Sequence, residues 1–207
     1  VIFQPELRKA LDQLGRKKFV TALFDFGMSQ DSGRFSDRTI NELVKASFEM
    51  GKVKTGALIV VEQDIVLTEY ERTGIELDSL LTSQLLINIF EKNTPLHDGA
   101  IIVRGDRVVA ATCYLPLSDS MAISKELGTR HRAAIGISEV SDSLTIIVSE
   151  ETGAVSVAKT GQIFRDLEQD GLREHLKIIQ NAESEQSRLQ LLQRRLKDAK
   201  KRRKNTD

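Results

Sequence analysis

Two apolar stretches, each broken once by a short polar turn, leave this chain few ways to bury itself. AIIVRGDRVVAATC, residues 100–113, sets two apolar, β-branched runs on either side of RGDR, and SLTIIVSEETGAVSVAK, residues 143–159, repeats the arrangement around EETG. An apolar run that stops at a tight turn and resumes at once buries both halves by folding back on itself. Each stretch therefore reads as an antiparallel hairpin, the first turning at Gly105-Asp106. GALIVVE, Gly56 to Glu62, is another short β-branched run and reads as a buried strand.

Helical spacing fills the intervals. PELRKALDQLGR starts with Pro5, keeps Leu7, Ala10, Leu11 and Leu14 on one face, and ends at Gly15. After a polar loop, Ser36 or Asp37 caps a second helix carrying Ile40, Leu43, Val44, Ser47 and Phe48, which Gly51 stops. The spacing of Leu80, Leu81, Leu85, Leu86, Ile89 and Phe90 predicts a longer helix from about Asp78 to Lys92, ended by Asn93-Thr94-Pro95. RHRAAIGISEVSD reads as a helix between the two hairpins. Residues 160–182 read as helical, with a break at Asp170-Gly171 and Leu172, Leu176 and Ile179 on one face. The expected fold is mixed α/β (α+β): a central mixed, largely antiparallel sheet surrounded by helices, in one domain over residues 1–182. Residues 183–207 form a charged basic tail, helical or disordered.

Composition excludes several classes. With aromatics at 5% and no Trp, the core rests on Leu, Ile, Val and Ala. The single cysteine, Cys113, rules out an internal disulfide framework and Cys/His zinc spacing, and lies in an apolar run as a core residue. There is no Walker A loop, no GxGxxG after a strand and no GxSxG. No apolar run approaches the roughly 20 residues that span a bilayer, and no signal-peptide pattern opens the chain. A start at Val1 reads as that of a fragment. The net charge of zero hides a polarity, because Arg194–Asp207 carries +6 and the rest −6. That tail suits an acidic surface electrostatically, but it lacks aromatics for base stacking and reads as a solvated end without a specific nucleic-acid partner.

Three motifs carry chemistry, each with a plainer alternative. In LHDGA, Leu96 to Ala100, a carboxylate stands beside a glycine that lets backbone approach a ligand, and His97 offers a second donor; Asp-Gly is equally a common turn. In GTRHRAA, Gly128 to Ala134, a helix entrance meets three basic side chains. This is an anion site with Arg130 as a bidentate clamp, or a solvated basic turn paired with acidic neighbours. Ala133, Ala134 and Gly136 favour the first, since they let the helix pack closely and fix its N-terminus. In SEETG, Ser149 to Gly153, a hairpin tip carries carboxylates that are either solvated or directed at a hard cation such as Mg²⁺ or Mn²⁺.

In this order and spacing the three motifs resemble the diadenylate cyclase (DAC) family, over about Val1 to Gln180. The likeness includes VIFQPELRKAL, GALIVVE and NTPLHDGAIIV, and is strongest to the membrane-anchored bacterial form. The resemblance implies that two ATP condense to cyclic di-AMP with release of two pyrophosphates, across a face-to-face homodimer and with a divalent metal (Mn²⁺, Mg²⁺ or Co²⁺). It implies Asp98, Arg130 and His131 as catalytic residues and His97, Asp98 and Glu151 as metal ligands. For ATP it implies Gly99, Ala100, Tyr114, Leu115, Gly128, Thr129, Arg130, His131, Arg132 and Ser149, with Arg132 the member most open to a structural role. The negative charge that balances RHR is expected from substrate rather than protein. The parent protein is expected at the cytoplasmic face of the bacterial membrane, with regulatory protein partners, and this fragment is expected to be soluble. The rival readings are a non-catalytic adenine-nucleotide-binding regulatory module and a DNA-associated protein. The latter is opposed by the lack of a helix-hairpin-helix or basic-aromatic region.

Overall fold

The computed structural model describes residues 35–119 and 128–180. In chain order these form α1 (Asp37–Lys52), β1 (Ala57–Val61), α2 (Thr68–Glu71), β2 (Ile75–Leu80), α3 (Ser83–Phe90), β3 (Ala100–Arg104) and β4 (Arg107–Cys113). There follow α4 (Thr129–Val140), β5 (Leu144–Val148), β6 (Val155–Lys159) and β7 (Gln162–Phe164), and α5 over residues 169–180. The first helix and the basic tail read from the sequence lie outside the described residues.

The seven strands make one sheet in the order β2-β4-β3-β1-β5-β6-β7. β1 and β3 run parallel, with Ile59 beside Ile101, and every other pairing is antiparallel. Both central strands β1 and β5 are buried at every position, which requires cover on both faces. Their alternation divides the core. Ala57, Ile59 and Val61 meet α1, α3 and α5 through Leu43, Leu86 and Leu176, whereas Leu58 and Val60 meet α4 through Ala134 and Ile137. Cys113 is part of the second cluster, and burial pushes its thiol up to about 11.

Both hairpins, β1 and α4 stand where local sequence places them. So does the start of α1: the Ser36 hydroxyl accepts from the Thr39 amide at 3.3 Å. Asp106, in the first hairpin turn, accepts from the Ser36 amide and the Thr39 hydroxyl at 2.6 and 2.7 Å. Gly51 does not stop α1, which runs on to Lys52. Its reason is packing, because a Cβ there would lie 2.5 Å from the Gly153 carbonyl oxygen.

Two expected helices are corrected. Residues 78–92 divide into the edge strand β2 and the eight-residue α3. The Thr82 side chain caps α3 by accepting from the Leu85 amide at 3.2 Å, and the segment before it pairs with β4 instead. Residues 160–182 begin with β7, not helix. Thr160 and Gly161 both take positive φ, 50° and 74°, turning the chain back in a hairpin that pairs Lys159 with Gln162. α5 then runs through Asp170-Gly171 without a break, burying Leu172, Leu176 and Ile179.

Candidate active site

Because β1 and β3 are parallel and β4 and β5 oppose them, β1 and β3 begin where β4 and β5 finish. Ala57 pairs with Val148, and Ala100 with Cys113. Gly56, Asp98, Tyr114 and Ser149 therefore gather at one end of the sheet. With strands about 4.8 Å apart, the Asp98 and Ser149 columns stand about 10 Å from each other.

Asp98 is exposed at the start of β3. Gly99 has φ of 100°, and a Cβ on it would lie 2.9 Å from the Thr112 carbonyl carbon. β4 bulges here, with Thr112 itself at φ 55°. Only glycine takes this turn against that bulge, so the Asp-Gly pair is shaped by the sheet. His97 is half-buried, and its Nδ1 lies 2.6 Å from the Thr94 carbonyl oxygen. A carbonyl only accepts, so Nδ1 carries a hydrogen, and in the neutral ring this leaves the lone pair on Nε2.

At the α4 entrance Gly128 is the N-cap residue, with no side-chain cap. Arg130 is half-buried and its Nη1 donates to Glu150 Oε2 at 2.8 Å. A Cβ on Gly56 would sit 3.0 Å from both Cζ and Nη1 of Arg130 and 3.1 Å from the Glu150 Cβ. The missing side chain at Gly56 is thus the seat of the ion pair. The expectation that substrate alone balances RHR is corrected: Glu150 supplies one of the charges.

His131 is held below its ordinary pKa, chiefly by burial and then by the charge of Arg165, with Glu151 opposing. Arg132 turns away. Its Nη2 donates to the Ser118 carbonyl at 3.1 Å, and its own carbonyl accepts from the Ser118 amide at 3.0 Å. That ladder ties residues 116–118 to α4. Gly136 permits it, since a Cβ there would fall 2.1 Å from the Pro116 carbonyl oxygen.

The tip of the β5–β6 hairpin is equally fixed. The Ser149 hydroxyl accepts from the Glu151 and Thr152 amides at 3.3 and 3.2 Å. Gly153 and Gly51 are in mutual backbone contact. Glu151 is exposed and makes no ion pair among the described residues.

The structure brings Gly128, Thr129, Arg130, His131, Ser149 and Glu151 around one open cavity of about 110 Å³, together with Arg165 and Asp166. His97, Asp98, Gly99, Tyr114 and Leu115 lie on the β3–β4 side of the same sheet end. Ala100 is fully buried, so only its backbone can meet a ligand. Tyr114 is 73% exposed, with its amide donating to the Thr73 hydroxyl at 2.9 Å. Leu115 packs on the second core cluster. Among the described residues no three His, Cys, Asp or Glu side chains are close enough to hold a metal ion. His97, Asp98 and Glu151 are accordingly not a ready-made cage within one chain. Gly56, Arg165 and Asp166 were not legible beforehand, since each belongs to the site only through strand pairing, and SEETG did not show that Glu150 pairs with Arg130.

A mixed sheet with a DG turn, a basic helix entrance and an acidic hairpin at one end defines a class. The family described as DAC, DisA bacterial checkpoint controller nucleotide-binding, matches residues 44–163, and the chain belongs to that family. It is 54% identical over 176 residues to the cyclic di-AMP synthase CdaA of Bacillus subtilis, covering 85% of this chain and 63% of that protein. Against the crystal structure of a DacA double mutant from Staphylococcus aureus it has 51% identity and a TM-score of 0.67, covering 69% of this chain and 95% of that one. A structure described as a hypothetical membrane spanning protein from Bacillus cereus is 44% identical with a TM-score of 0.60, covering 62% and 63%. The chain thus spans less than two thirds of the length of the curated relative.

Proposed function

We propose that this chain is the catalytic part of a diadenylate cyclase, which condenses two ATP into cyclic di-AMP and releases two pyrophosphates. The observation that carries the proposal is the convergence of the Asp98 turn, the Arg130–His131 helix entrance and the Ser149–Glu151 hairpin at one sheet end. The names of the relatives support the same reading.

The 3′-hydroxyl of one ATP attacks the α-phosphorus of the other. The O3′–P bond forms, the bond to the bridging oxygen breaks, and the hydroxyl proton passes to Asp98. Thr129, Arg130 and His131 hold the triphosphate, and the helix entrance adds its N-terminal partial charge as pyrophosphate leaves. Tyr114 and Leu115, at the β4 end, take the adenine. Gly99, Ala100 and Gly128 bring backbone to the nucleotide. The Ser149 hydroxyl keeps its proton for a phosphate oxygen, because it accepts from the Glu151 and Thr152 amides. Arg132 acts by holding residues 116–118.

The donor types suit a hard divalent ion, although one chain does not gather them into a cage. His97 has Nε2 available, with Nδ1 fixed on a backbone carbonyl, as metal-bound histidines have. Asp98 and Glu151 are exposed oxygen donors, and a two-carboxylate set completed by phosphates is the usual arrangement for Mg²⁺-like ions. When bound, the ion makes the attacking hydroxyl more acidic and neutralises phosphate charge. The cavity's carboxylates Glu150, Glu151 and Asp166 outnumber Arg130 and Arg165, a balance suited to a metal-bearing rather than a bare triphosphate.

Each site holds one ATP while the product links two adenylates, so two copies of the chain meet face to face with both sites between them. The parent protein is membrane-anchored, as the description of the Bacillus cereus structure supports. Among the described residues, no helix is long and apolar enough to cross a membrane.

The test is chromatography of the product after incubation with ATP and Mn²⁺, Mg²⁺ or Co²⁺. The wild-type chain forms cyclic di-AMP, and activity per protomer falls on dilution to monomer. Asp98→Asn stops product while ATP binding and the fold persist. Full turnover by Asp98→Asn removes Asp98 from the chemistry. No product from a dimeric wild type leaves a nucleotide-binding regulatory module.

A further inference from the structure

The cavity beside α4 contains a cation to which neither the motifs nor the reading above gives a task. Arg165 follows β7, and it is β7 that carries it to the site. β6 runs away from the catalytic end of the sheet, and β7 pairs with it antiparallel, Val157 beside Phe164, so the chain returns to that end as it reaches Arg165. There Arg165 lines the same cavity as Thr129, Arg130, His131 and Glu151. It makes no ion pair among the described residues.

The corner that holds it is built. On one side the Phe164 ring packs on His175 of α5, centroids 4.8 Å apart. On the other, the Leu167 amide donates to the Val155 carbonyl at 2.8 Å. Between these anchors Asp166 takes φ of 54°, a left-handed conformation that costs a non-glycine residue strain and recurs at functional positions. The guanidinium is therefore presented on a pinned two-residue turn, not on a loose loop. Its charge reaches the helix entrance, since after burial it is the strongest influence lowering the His131 pKa.

Resting on the cyclase reading, we propose that Arg165 is a further polyphosphate-binding residue, gripping the terminal phosphates that depart as pyrophosphate. The order of strands assigns it to that end of the nucleotide. Adenine lies at the end of β4, and β3, β1, β5 and β6 separate β4 from β7. At about 4.8 Å per strand that is roughly 24 Å, so only the tail of a nucleotide extended across the sheet end approaches Arg165. The α-phosphoryl group, which stays in the product, is served by Arg130 nearer the middle. A fork of guanidinium donors suits two oxygens of one phosphate or of neighbouring ones.

The experiment compares Arg165→Gln and Arg165→Lys with wild type in the full chain. Calorimetric binding of a non-hydrolysable ATP analogue, AMP and pyrophosphate is measured with Mg²⁺, alongside cyclic di-AMP formation. Arg165→Gln weakens the ATP analogue and pyrophosphate about tenfold, as loss of one charge-assisted contact does, and leaves AMP within about twofold of wild type. Arg165→Lys recovers part of the loss. Unchanged analogue binding by Arg165→Gln, in a background where wild type binds and cyclises ATP, overturns the assignment alone. Equal losses for AMP and the ATP analogue overturn it too, because they mark a general distortion of the site. A wild-type chain that neither binds nor cyclises ATP overturns the cyclase reading and the assignment with it.

Discussion

Gly56→Ala tests the site through the seat of the Arg130–Glu150 pair. The added methyl carbon would stand 3.0 Å from the Arg130 guanidinium carbon and from Nη1, whereas comfortable contact begins near ~3.5 Å. Something must retreat by about 0.5 Å. The Glu150 side of the seat, 3.1 Å from the new carbon, belongs to a hairpin locked by the mutual contact of Gly153 and Gly51. The guanidinium is the far end of a flexible chain, so it moves. Its bond to Glu150, 2.8 Å with Glu150 52% exposed, is a screened surface pair worth at most about 1 kcal/mol. Stability should therefore change by no more than about 1 kcal/mol, a shift of roughly 2–4 °C in Tm. Activity is more sensitive if Arg130 clamps phosphate as proposed, because displacing such a clamp by a fraction of an ångström costs about 10- to 100-fold in kcat/KM. Initial rates of cyclic di-AMP formation with a parallel thermal melt measure both. A kcat/KM within twofold of wild type at unchanged Tm would refute the claim that Gly56 seats Arg130, and a large loss of Tm would refute the claim that the hairpin stays fixed.

Gly136→Ala should do the opposite. Its methyl carbon meets the Pro116 carbonyl oxygen at 2.1 Å and the Ser118 amide nitrogen at 2.8 Å, backbone that cannot swing aside. Destabilisation of about 1–3 kcal/mol is expected, lowering Tm by roughly 3–10 °C, and an unchanged melt would show that residues 116–118 do not grip α4. His131 should titrate below 6.5 in the native chain, as followed by proton NMR. The native state then binds fewer protons than the unfolded state as pH falls through 6.5, so this residue's contribution to stability is present above that pH and is lost below it. Glu151→Gln lowers the midpoint further, since the Glu151 charge raises it. A midpoint at or above 6.5 contradicts the buried setting.

The elements legible in the sequence are those whose signal is local. Gly105-Asp106 between β3 and β4, EETG between β5 and β6, the β-branched run of β1 and the Ser36 cap of α1 each declare themselves within a few residues. β2 and β7 do not. Leu80 and Leu81 fit the helical period of α3 by coincidence, and only the open edge of β4 makes 75–80 a strand. The turn before β7 is Thr160-Gly161, a weaker hairpin signal than Asn-Gly, and α5 read backwards through it as one long helix.

The same division runs through the site. Residue type and spacing marked Asp98, the RHR triplet and SEETG as candidates, each with a plainer alternative, and their joint order, which resembles the cyclase family, gave them roles. Tertiary structure decided what those groups face. Arg130 meets Glu150 over the empty side of Gly56, Arg132 is spent on Ser118, and Arg165 arrives on a strand that periodicity missed. A sequence fixes local conformation through steric and hydrogen-bonding preferences of adjacent residues. Which distant side chains share a cavity depends on strand order and register, and these are set by pairing and packing between segments far apart in the chain.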